Sequence, residues 1–276
     1  MDKKRIAVIH HSGSGSTRTI GEVFAELLSK KHSVDIYPVV KNFDYALLTK
    51  YNLLVIGTPT FNCTPSKSMT EFVDRMPKLD DKPAFLYTTY ALYSGNCLRK
   101  LAKALLKKGL VTADHAHIRG PASDGALLSP SISRFFKYEK GIGKKIKRAL
   151  TEIKGILSSP LIKPKIPAFK WYVPLNYPNQ YFGEKSFHKM KEKIEVVKEL
   201  CTNCNTCVKG CIRGCWSEGE ETPGYSPADC EFCVRCIHNC PNGAIVISDK
   251  MAGKPRLGRK FYRERKEAIL KELAQQ

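Results

Sequence analysis

The segment KRIAVIHHSGSGST, residues 4–17, contains the pattern that decides the fold of the N-terminal half. Its first part, residues 4–10, is short, apolar and rich in β-branched side chains, which is typical of a buried strand. A turn rich in hydroxyl groups and glycine follows, and a helical pattern then extends from Thr17 to about Lys31. The backbone N–H groups of a helix N-terminus attract anions such as phosphate. The segment therefore predicts a strand, an anion-binding turn and a helix.

The turn differs from two common phosphate-binding loops. The dinucleotide-binding fingerprint needs a third glycine where this chain has Arg18, and no Gly-Lys-Ser or Gly-Lys-Thr of a P-loop follows. An ordinary Ser/Gly turn in which Thr17 caps the helix would explain the same residues without a ligand. Both interpretations remain open from this stretch alone.

Strand and helix patterns alternate from this turn to about residue 157. This alternation predicts a parallel sheet with helices on both faces, in which ligands bind beyond the carboxyl ends of the strands. The loops after the first, third and fourth strands are rich in hydroxyl groups, aromatic rings and glycine, so their convergence predicts a cofactor site. The further strands are predicted at 33–39, 52–58, 83–89 and 110–117, and the helices at 42–50, 66–76, 97–108 and 131–157.

Two cysteine runs of identical spacing lie in the C-terminal half. Their sequences are CTNCNTCVKGC, residues 201–211, and CEFCVRCIHNCP, residues 230–241. This spacing is typical of [4Fe–4S] ligation, and in two-cluster proteins the fourth cysteine of each run binds the other cluster. The exact repetition of four cysteines favours iron–sulfur ligation over a zinc site or structural disulfides.

These motifs together carry a family resemblance. The residues Ser12-x-Ser14-Gly15-x-Thr17 match the [ST]-x-[ST]-G-x-T phosphate loop of flavodoxins, so residues 1 to about 157 resemble a flavodoxin domain. The whole chain resembles the flavodoxin–ferredoxin fusion proteins of anaerobic bacteria and archaea, sometimes called the EFR type. The resemblance implies an α/β fold with a doubly wound five-stranded parallel sheet in the order 2-1-3-4-5. It also implies a second, small α+β ferredoxin-like domain, with FMN and two [4Fe–4S] clusters as cofactors.

The resemblance also assigns flavin-binding residues, position by position. Phe61 and either Tyr90 or Tyr93 become candidates for stacking on the flavin ring, and Asn62 tolerates a positive φ better than most residues. The implied cofactor-binding residues are Ser12, Gly13, Ser14, Gly15, Ser16 and Thr17 in the first loop, Thr58, Pro59, Thr60, Phe61 and Asn62 in the second, and Thr89, Tyr90, Tyr93, Gly95 and Asn96 in the third.

The family's crossover rule assigns the cluster ligands in the same way. It gives one cluster to Cys201, Cys204, Cys207 and Cys240, and the other to Cys230, Cys233, Cys236 and Cys211. Proline follows the fourth cysteine of the second run but not that of the first. Cys215, four residues after Cys211, is therefore a rival ligand. The two remaining cysteines, Cys63 and Cys97, are expected to act as small buried hydrophobic residues.

A chain of 276 residues has room for more than one domain. We predict a flavodoxin-like FMN-binding domain at 1–157, a linker and helix at 158–195, a two-cluster ferredoxin domain at 196–250 and a basic tail with a helix at 251–276. Within the linker region, the stretch 158–182 is rich in proline and aromatic residues, so we expect it to pack across both domains. The helices of these last regions are predicted at 184–200 and 259–274.

The formal net charge of +20 lies largely outside the cysteine runs, in residues 137–170 and 254–266. Most of this charge is expected to be solvated, and it favours an acidic redox partner protein over nucleic acid. The sequence has no secretory signal and no apolar stretch long enough for a membrane span, so we expect a cytoplasmic protein. A homo-oligomer remains open.

These features predict an electron-transfer protein that moves electrons between FMN, two [4Fe–4S] clusters and a redox partner. No residue is predicted to act as a general acid, base or nucleophile. The alternative is a flavin-dependent iron–sulfur oxidoreductase that acts directly on a small molecule, a quinone or a metal centre. A zinc-binding protein associated with nucleic acid is a third interpretation of the charge and the cysteines.

Overall fold

A parallel sheet forms the centre of the N-terminal half. The computed structural model describes residues 3–129, 131–159, 163–171, 185, 187–248, 251 and 256–275. The strands of the sheet are β1 (Arg5–His10), β2 (Ser33–Pro38), β3 (Leu53–Phe61), β4 (Thr64–Pro65), β5 (Lys82–Tyr90) and β6 (Leu110–Arg119). Five of them are parallel in the order β2-β1-β3-β5-β6, and the two-residue β4 pairs antiparallel with the end of β3. The predicted α/β class with a parallel central sheet is confirmed.

The sheet is buried on both faces because its central strands are continuous apolar runs. In β1, residues 6–10 are all buried, and in β3 residues 53–59 are all buried. Near-continuous apolar strands are characteristic of parallel sheets covered by helices. One apolar cluster packs the sheet against α2 and α3, and the other packs it against α1 and α5. The helices are α1 (Ser16–Ser29), α2 (Lys67–Arg75), α3 (Cys97–Lys107), α4 (Ser123–Leu128) and α5 (Ile142–Ser158).

Two of the predicted helices of this half differ from the structure. The helix predicted at 42–50 is a 3-10 helix that begins only at Tyr45, where Asp44 accepts the N–H of Ala46 at 3.0 Å. The basic helix predicted at 131–157 begins only at Ile142. It is preceded by a separate 3-10 turn at Ser133–Phe136, and by Gly141 at a φ of 74°. A left-handed residue does not continue a right-handed helix.

The cysteine-containing half, residues 194–247, is built from two copies of one short motif. Its strands are β7 (Glu195–Val196), β8 (Trp216–Ser217), β9 (Gly224–Tyr225) and β10 (Ile245–Val246), and its helices are Thr206–Gly210, Arg235–Asn239 and the 3-10 turn Lys198–Leu200. β7 pairs with β10 and β8 pairs with β9, so each small sheet takes one strand from each copy. The continuous helix predicted at 184–200 is wrong, because the chain is helical only to residue 192 and then enters β7.

The two copies also share their backbone conformation. The helix Thr206–Gly210 corresponds to Arg235–Asn239, with the same offset as Cys201 to Cys230. Left-handed residues recur in matched pairs, namely Asn203 (φ 49°) with Phe232 (51°), Asn205 (54°) with Val234 (53°), and Gly214 (67°) with Gly243 (65°). A β-branched residue such as Val234 rarely adopts this conformation, which costs about 1–2 kcal/mol. A left-handed backbone that recurs at matched positions of both copies points to a shared functional requirement.

The segments between and after the two halves pack on the central sheet. The C-terminal helix, Arg259–Ala274, has the predicted bounds. It packs against α1 and α5, where Ile269 is buried, while Tyr262 is buried in a separate cluster with Ala126 and Leu257. Residues 163–171 lie beside β6, since the Lys165 N–H donates to the carbonyl of Thr112 in that strand at 2.7 Å. The aromatic residues predicted to bridge the domains at 172, 177 and 181 lie outside the described residues. Within the described parts of the chain, no helix combines the length and apolar character needed to cross a membrane.

Candidate cofactor site

A cavity of about 610 Å³ lies beyond the carboxyl ends of the strands. Its walls include most of the residues that the sequence assigned to a flavin, which are Ser12, Gly13, Ser14, Ser16, Thr17, Pro59, Thr60, Phe61, Asn62, Thr89, Tyr90 and Tyr93. Three further walls were not predicted from the sequence, and they come from residues 121–125, 187–191 and 230–234. The last of these belongs to the second cysteine run. The sheet and the cysteine-containing half therefore share one cavity.

Four of the predicted flavin residues lie outside the cavity wall. They are Gly15, Thr58, Gly95 and Asn96. The Asn96 amide exchanges two hydrogen bonds with the Lys170 backbone, at 2.9 and 3.3 Å, so it anchors the segment 163–171 instead. The Thr58 hydroxyl is buried against the Ser66 hydroxyl. Gly95 leaves room for Cys63, because a Cβ on residue 95 would lie 2.5 Å from the Cys63 Sγ.

The Ser/Gly loop, residues 12–17, presents an open helix N-terminus. α1 begins at Ser16 and its N-cap is Gly15, with no side-chain cap, so the capping role considered for Thr17 is wrong. The Thr17 hydroxyl instead pairs with the Thr89 hydroxyl at 2.7 Å. The Ser12 hydroxyl is buried and has no hydrogen-bond partner among the described residues. A buried donor beside unsatisfied helix N–H groups fits an anion.

The chain makes a tight turn at the cavity between β3 and β4, at residues 61–64. Asn62 and Cys63 have φ values of 45° and 63°, in agreement with the tolerance for positive φ expected of Asn62. The Thr64 hydroxyl closes the turn by donating to the Phe61 carbonyl at 2.9 Å. Burial raises the pKa of Tyr93, which lies across the cavity wall beside Cys63. Aromatic rings therefore reach the cavity from two separate loops.

A buried carboxylate fixes the second cysteine loop, residues 230–236, to the sheet. The side chain of Glu231 is only 4% exposed, and it accepts the Ser68 N–H at 3.1 Å and the Ser68 hydroxyl at 2.8 Å, at the N-terminus of α2. His11 Nε2 lies 3.2 Å from the same carboxylate, and His11 Nδ1 lies 2.8 Å from the Ser66 hydroxyl. Burial lowers the pKa of His11, and Glu231 opposes that shift. No sequence motif marks this network.

The Ser/Gly loop and the second cysteine loop also touch through their backbones. A Cβ placed on Gly13 would lie 2.4 Å from the carbonyl oxygen of Cys233. Because a backbone oxygen cannot rotate away as a side chain can, this approach requires glycine at position 13. The loop predicted to bind phosphate and the loop predicted to bind a cluster are therefore in direct contact.

Cysteines from the two runs lie close together in two places. Cys201, Cys204, Cys207 and Cys240 line one small cavity. In the second group, burial raises the pKa of Cys236 to about 12, with further contributions from the nearby Cys230 and Cys211. No group of three or more His, Cys, Asp or Glu side chains among the described residues is arranged to hold a single metal ion. In a [4Fe–4S] cube each thiolate binds a different iron, so its four ligands need not converge on one point.

The fourth cysteines of the two runs, Cys211 and Cys240, accept matching backbone hydrogen bonds. The Cys240 sulfur accepts the N–H of Ala244 at 3.3 Å, and the Cys211 sulfur accepts the N–H of Cys215 at 3.4 Å. Cys215 therefore stands where Ala244 stands in the second copy, and both side chains are buried. Burial, followed by the neighbouring Cys211, raises the pKa of Cys215 to about 12.

No protein-family model matches the chain. Among solved structures, the N-terminal part is similar to flavodoxin 1 of Bacillus cereus, with 13% identity over 57% of this chain and 99% of that chain and a TM-score of 0.43. A flavodoxin of Streptococcus pneumonia TIGR4 gives 13% identity over 55% and 98%, with a TM-score of 0.42. A flavodoxin from the domain Archaea gives 14% identity over 55% and 98%, with a TM-score of 0.40. Similarities of this size say nothing about what this chain binds.

Proposed function

We propose that this chain is an electron-transfer protein that binds FMN in the cavity beyond the sheet and two [4Fe–4S] clusters in the cysteine-containing half. One observation carries the proposal: loops with flavin-type residues and a cysteine loop of cluster spacing line the same cavity. When bound, FMN can exchange one or two electrons and each cluster exchanges one at a time. The protein supplies the positions of these groups and the electrostatics around them.

The residues of the cavity fit FMN in two ways. The unpartnered Ser12 hydroxyl and the open N-terminus of α1 suit the dianionic phosphate, because backbone N–H groups and the helix dipole favour negative charge there. Phe61, Tyr90 and Tyr93 line the cavity on the side of the other two loops and would flank the planar ring. The cavity therefore offers polar groups from the Ser/Gly loop and aromatic rings from the other two loops.

The cysteine assignment that we propose follows the internal repeat. Cys201, Cys204, Cys207 and Cys240 would hold the first cluster, and Cys230, Cys233, Cys236 and Cys211 the second. The matching N–H bonds to Cys211 and Cys240 favour Cys211 over Cys215 as the fourth ligand. Such N–H bonds to sulfur also help to set the reduction potential of a cluster.

The positions of the two groups suggest an order of electron transfer. Cys204 in the first group is exposed, whereas Cys233 in the second is only partly exposed and its backbone carbonyl contacts the Ser/Gly loop. We propose that an external partner exchanges electrons with the first cluster, and that the second cluster connects the first with the flavin. The direction of flow between these ends remains open.

Basic residues on the surface of α5 support an acidic protein as a docking partner. Its exposed side chains include Lys144, Lys147 and Arg148. Exposed charges are screened over about 8–10 Å at ordinary ionic strength, so association with such a partner should slow as salt is added. Association rates that do not change with ionic strength would count against this docking mode.

Anaerobic purification followed by cofactor analysis and redox titration tests the main proposal. We expect one FMN and about eight irons and eight sulfides per chain, with flavin absorbance changes and cluster EPR signals in one titration. Zinc without acid-labile sulfide, or a protein that retains no flavin, would contradict the proposal. The cofactor count would also separate it from the nucleic-acid interpretation.

The second candidate function is a flavin-dependent reductase of a small molecule. It is favoured by the walls of the cavity at residues 121–125 and 187–191, which include the polar side chains of Asp124, His188 and Lys191 beyond the three flavin-type loops. Steady-state assays with NADH, NADPH and reduced ferredoxin, each with small acceptors, separate the two functions. Turnover with a small acceptor and no protein acceptor would favour the reductase.

A further inference from the structure

The Ser/Gly loop is held by a residue from the far end of the chain. Tyr262, on the first turn of the C-terminal helix, is 1% exposed, and its hydroxyl lies 2.8 Å from the hydroxyl of Ser14. Its ring fills the space beside Gly15, where a Cβ would lie 2.4 Å from the ring atom Cδ2. With a φ of 150°, Gly15 also has a conformation that favours glycine. One tyrosine thus contacts two consecutive parts of this loop: the hydroxyl of Ser14 and the backbone of Gly15.

Either hydroxyl of the Ser14–Tyr262 pair can be the donor, and the choice decides where the proton of Ser14 points. A serine hydroxyl has one proton to donate and two lone pairs that accept. Burial raises the pKa of Tyr262, so the tyrosine keeps its proton. When the Tyr262 hydroxyl donates to Ser14, the proton of Ser14 is left free to donate elsewhere. Ser14 lines the cavity, so the available acceptor is a group bound there.

The start of the C-terminal helix is fixed to the cysteine-containing half. The Leu257 N–H donates to His238 Nδ1 at 3.0 Å, so Nδ1 carries no proton and Nε2–H donates to the Ser123 carbonyl at 2.9 Å. His238 belongs to the helix between the third and fourth cysteines of the second run, and Ser123 lines the cavity. The buried imidazole of His238 therefore connects its own helix, the cavity wall at Ser123 and the residue Leu257 that precedes the C-terminal helix.

The rest of the C-terminal helix is fixed to the sheet. Ile269 is buried in the apolar cluster of α1 and α5, and Glu272 accepts the Gly143 N–H at 3.0 Å. Lys266 Nζ lies 2.8 Å from the Oε2 of Glu26 on α1. Both ends of the helix are thus held, which fixes the position of Tyr262 between them.

We propose that Tyr262 is a positioning residue for the phosphate of the bound flavin, acting through the hydroxyl of Ser14. This inference rests on the proposed FMN site. It makes the C-terminal helix part of the flavin site, although the sequence places it after the cysteine runs. Tyr138 also contacts the loop, but it donates to the Ser16 carbonyl at 2.9 Å and accepts from the Ser16 hydroxyl at 3.2 Å, so the proton of Ser16 is already used.

A double-mutant cycle on the full chain with intact clusters tests the inference. The variants are Tyr262→Phe, Ser14→Ala and the double variant, and dissociation constants are measured for FMN and for riboflavin, which lacks the phosphate. We expect Tyr262→Phe to weaken FMN binding about fivefold, as a hydrogen bond worth about 1 kcal/mol implies, and to leave riboflavin binding unchanged. The double variant should bind FMN as Ser14→Ala does, because the tyrosine acts through the serine.

The matched control is Tyr45→Phe, which also removes one partly buried tyrosine hydrogen bond, to the Phe72 carbonyl, away from the loop. It should change neither dissociation constant. Additive losses in the double variant, or equal weakening of FMN and riboflavin, would overturn the positioning role. If the wild-type chain binds neither flavin, the proposed function has failed instead.

Hydrogen exchange in the flavin-free protein provides a readout that does not depend on binding. Tyr262→Phe keeps the ring beside Gly15 but releases Ser14, so we expect faster exchange of the amides in residues 12–17. Tyr45→Phe should leave the exchange of these amides unchanged. Equal exchange in wild type and Tyr262→Phe would show that the hydroxyl does not order the loop.

Discussion

The two cysteine copies share a backbone but have different surroundings. Left-handed residues, short helices and N–H bonds to the fourth cysteine recur at matched positions. In the first copy Thr202 and Cys204 are exposed, whereas in the second copy the side chain of the matching Glu231 is buried at the start of α2 and Cys233 is only partly exposed. The comparison separates two requirements: the shared backbone fits the proposed cluster binding, and the differing side chains decide which copy faces the cavity.

Side chains at the left-handed positions show the same division. In the first copy Asn203 and Asn205 donate to polar atoms of residues 218–220, at 3.0–3.3 Å. Their counterparts, Phe232 and Val234, are buried in the apolar cluster and line the cavity. Asparagine tolerates positive φ better than these apolar residues do. The second copy thus accepts backbone strain, and burial of its apolar side chains in that cluster offsets the cost.

The largest expected effect comes from replacing Cys211, the fourth cysteine of the first run, while Cys240 keeps the same role in the second. Cys211→Ser should lower the iron and sulfide content from about eight to about four per chain, because one cluster loses a ligand. Cys215→Ala gives the first copy the alanine that the second copy has at position 244, so both clusters should remain. Iron and sulfide analysis with EPR measures both variants. Loss of a cluster in Cys215→Ala alone would assign the ligand to Cys215.

Gly13→Ala should separate the second cysteine loop from the sheet. The new Cβ would meet the Cys233 carbonyl oxygen at 2.4 Å, and such overpacking costs about 3 kcal/mol. We expect a lower midpoint of anaerobic urea unfolding and faster loss of the second cluster in air. Gly155→Ala is the control, since nothing lies within 4 Å of its Cβ and a helical alanine is favoured by about 1 kcal/mol. Equal stability of both variants would remove the steric argument.

Glu231→Ala should cost about 2 kcal/mol, because it leaves the buried N–H and hydroxyl of Ser68 without an acceptor. Glu231→Gln keeps one carbonyl oxygen and should recover part of that loss. Thr202→Ala, at the matching exposed position of the first copy, should change the unfolding free energy by less than about 0.5 kcal/mol. Similar losses at positions 202 and 231 would mean that the two copies are equally anchored.

The smallest expected effect concerns an exposed ion pair between the same two surfaces. Lys67 lies 3.2 Å from Asp229, but their side chains are 51% and 66% exposed. Lys67→Ala should therefore lower the unfolding free energy by less than about 1 kcal/mol, and added salt should reduce the difference further. Urea unfolding at low and high ionic strength measures both quantities. A loss comparable with that of Glu231→Ala would show that the exposed ion pair anchors the second copy as strongly as the buried network does.

Much of the fold was predictable because its signals are local. The apolar runs of β1 and β3, the Ser/Gly turn and the C-terminal helix all follow from patterns within fewer than twenty neighbouring residues. The errors occurred where local patterns compete. The helix predicted at 131–157 began too early, because the structure has a 3-10 turn and the left-handed Gly141 before Ile142. Residues 193–200 were similarly absorbed into a helix, although β7 forms by pairing with β10, far along the chain.

The candidate site was only partly predictable. The hydroxyl-rich and aromatic loops were found from composition, yet Asn96 turned inward to Lys170 and away from the cavity. His11 and Glu231 carry no motif, and their partnership depends on how the second cysteine loop docks on α2. The glutamate inside the second cysteine run is the one signal in the sequence that could have suggested a contact between this run and another part of the chain.

The sequence alone determined the pieces: the parallel sheet, the Ser/Gly turn and two cysteine runs of equal spacing. Each depends on residues close together in the chain, where periodicity and spacing are direct consequences of backbone geometry. Only the tertiary structure decided that the second run, and not the first, lies against the cavity. It also placed Tyr262 on Ser14, across a separation of 248 residues. Such contacts depend on how separately formed surfaces pack together, and that packing leaves no periodic signal in the sequence.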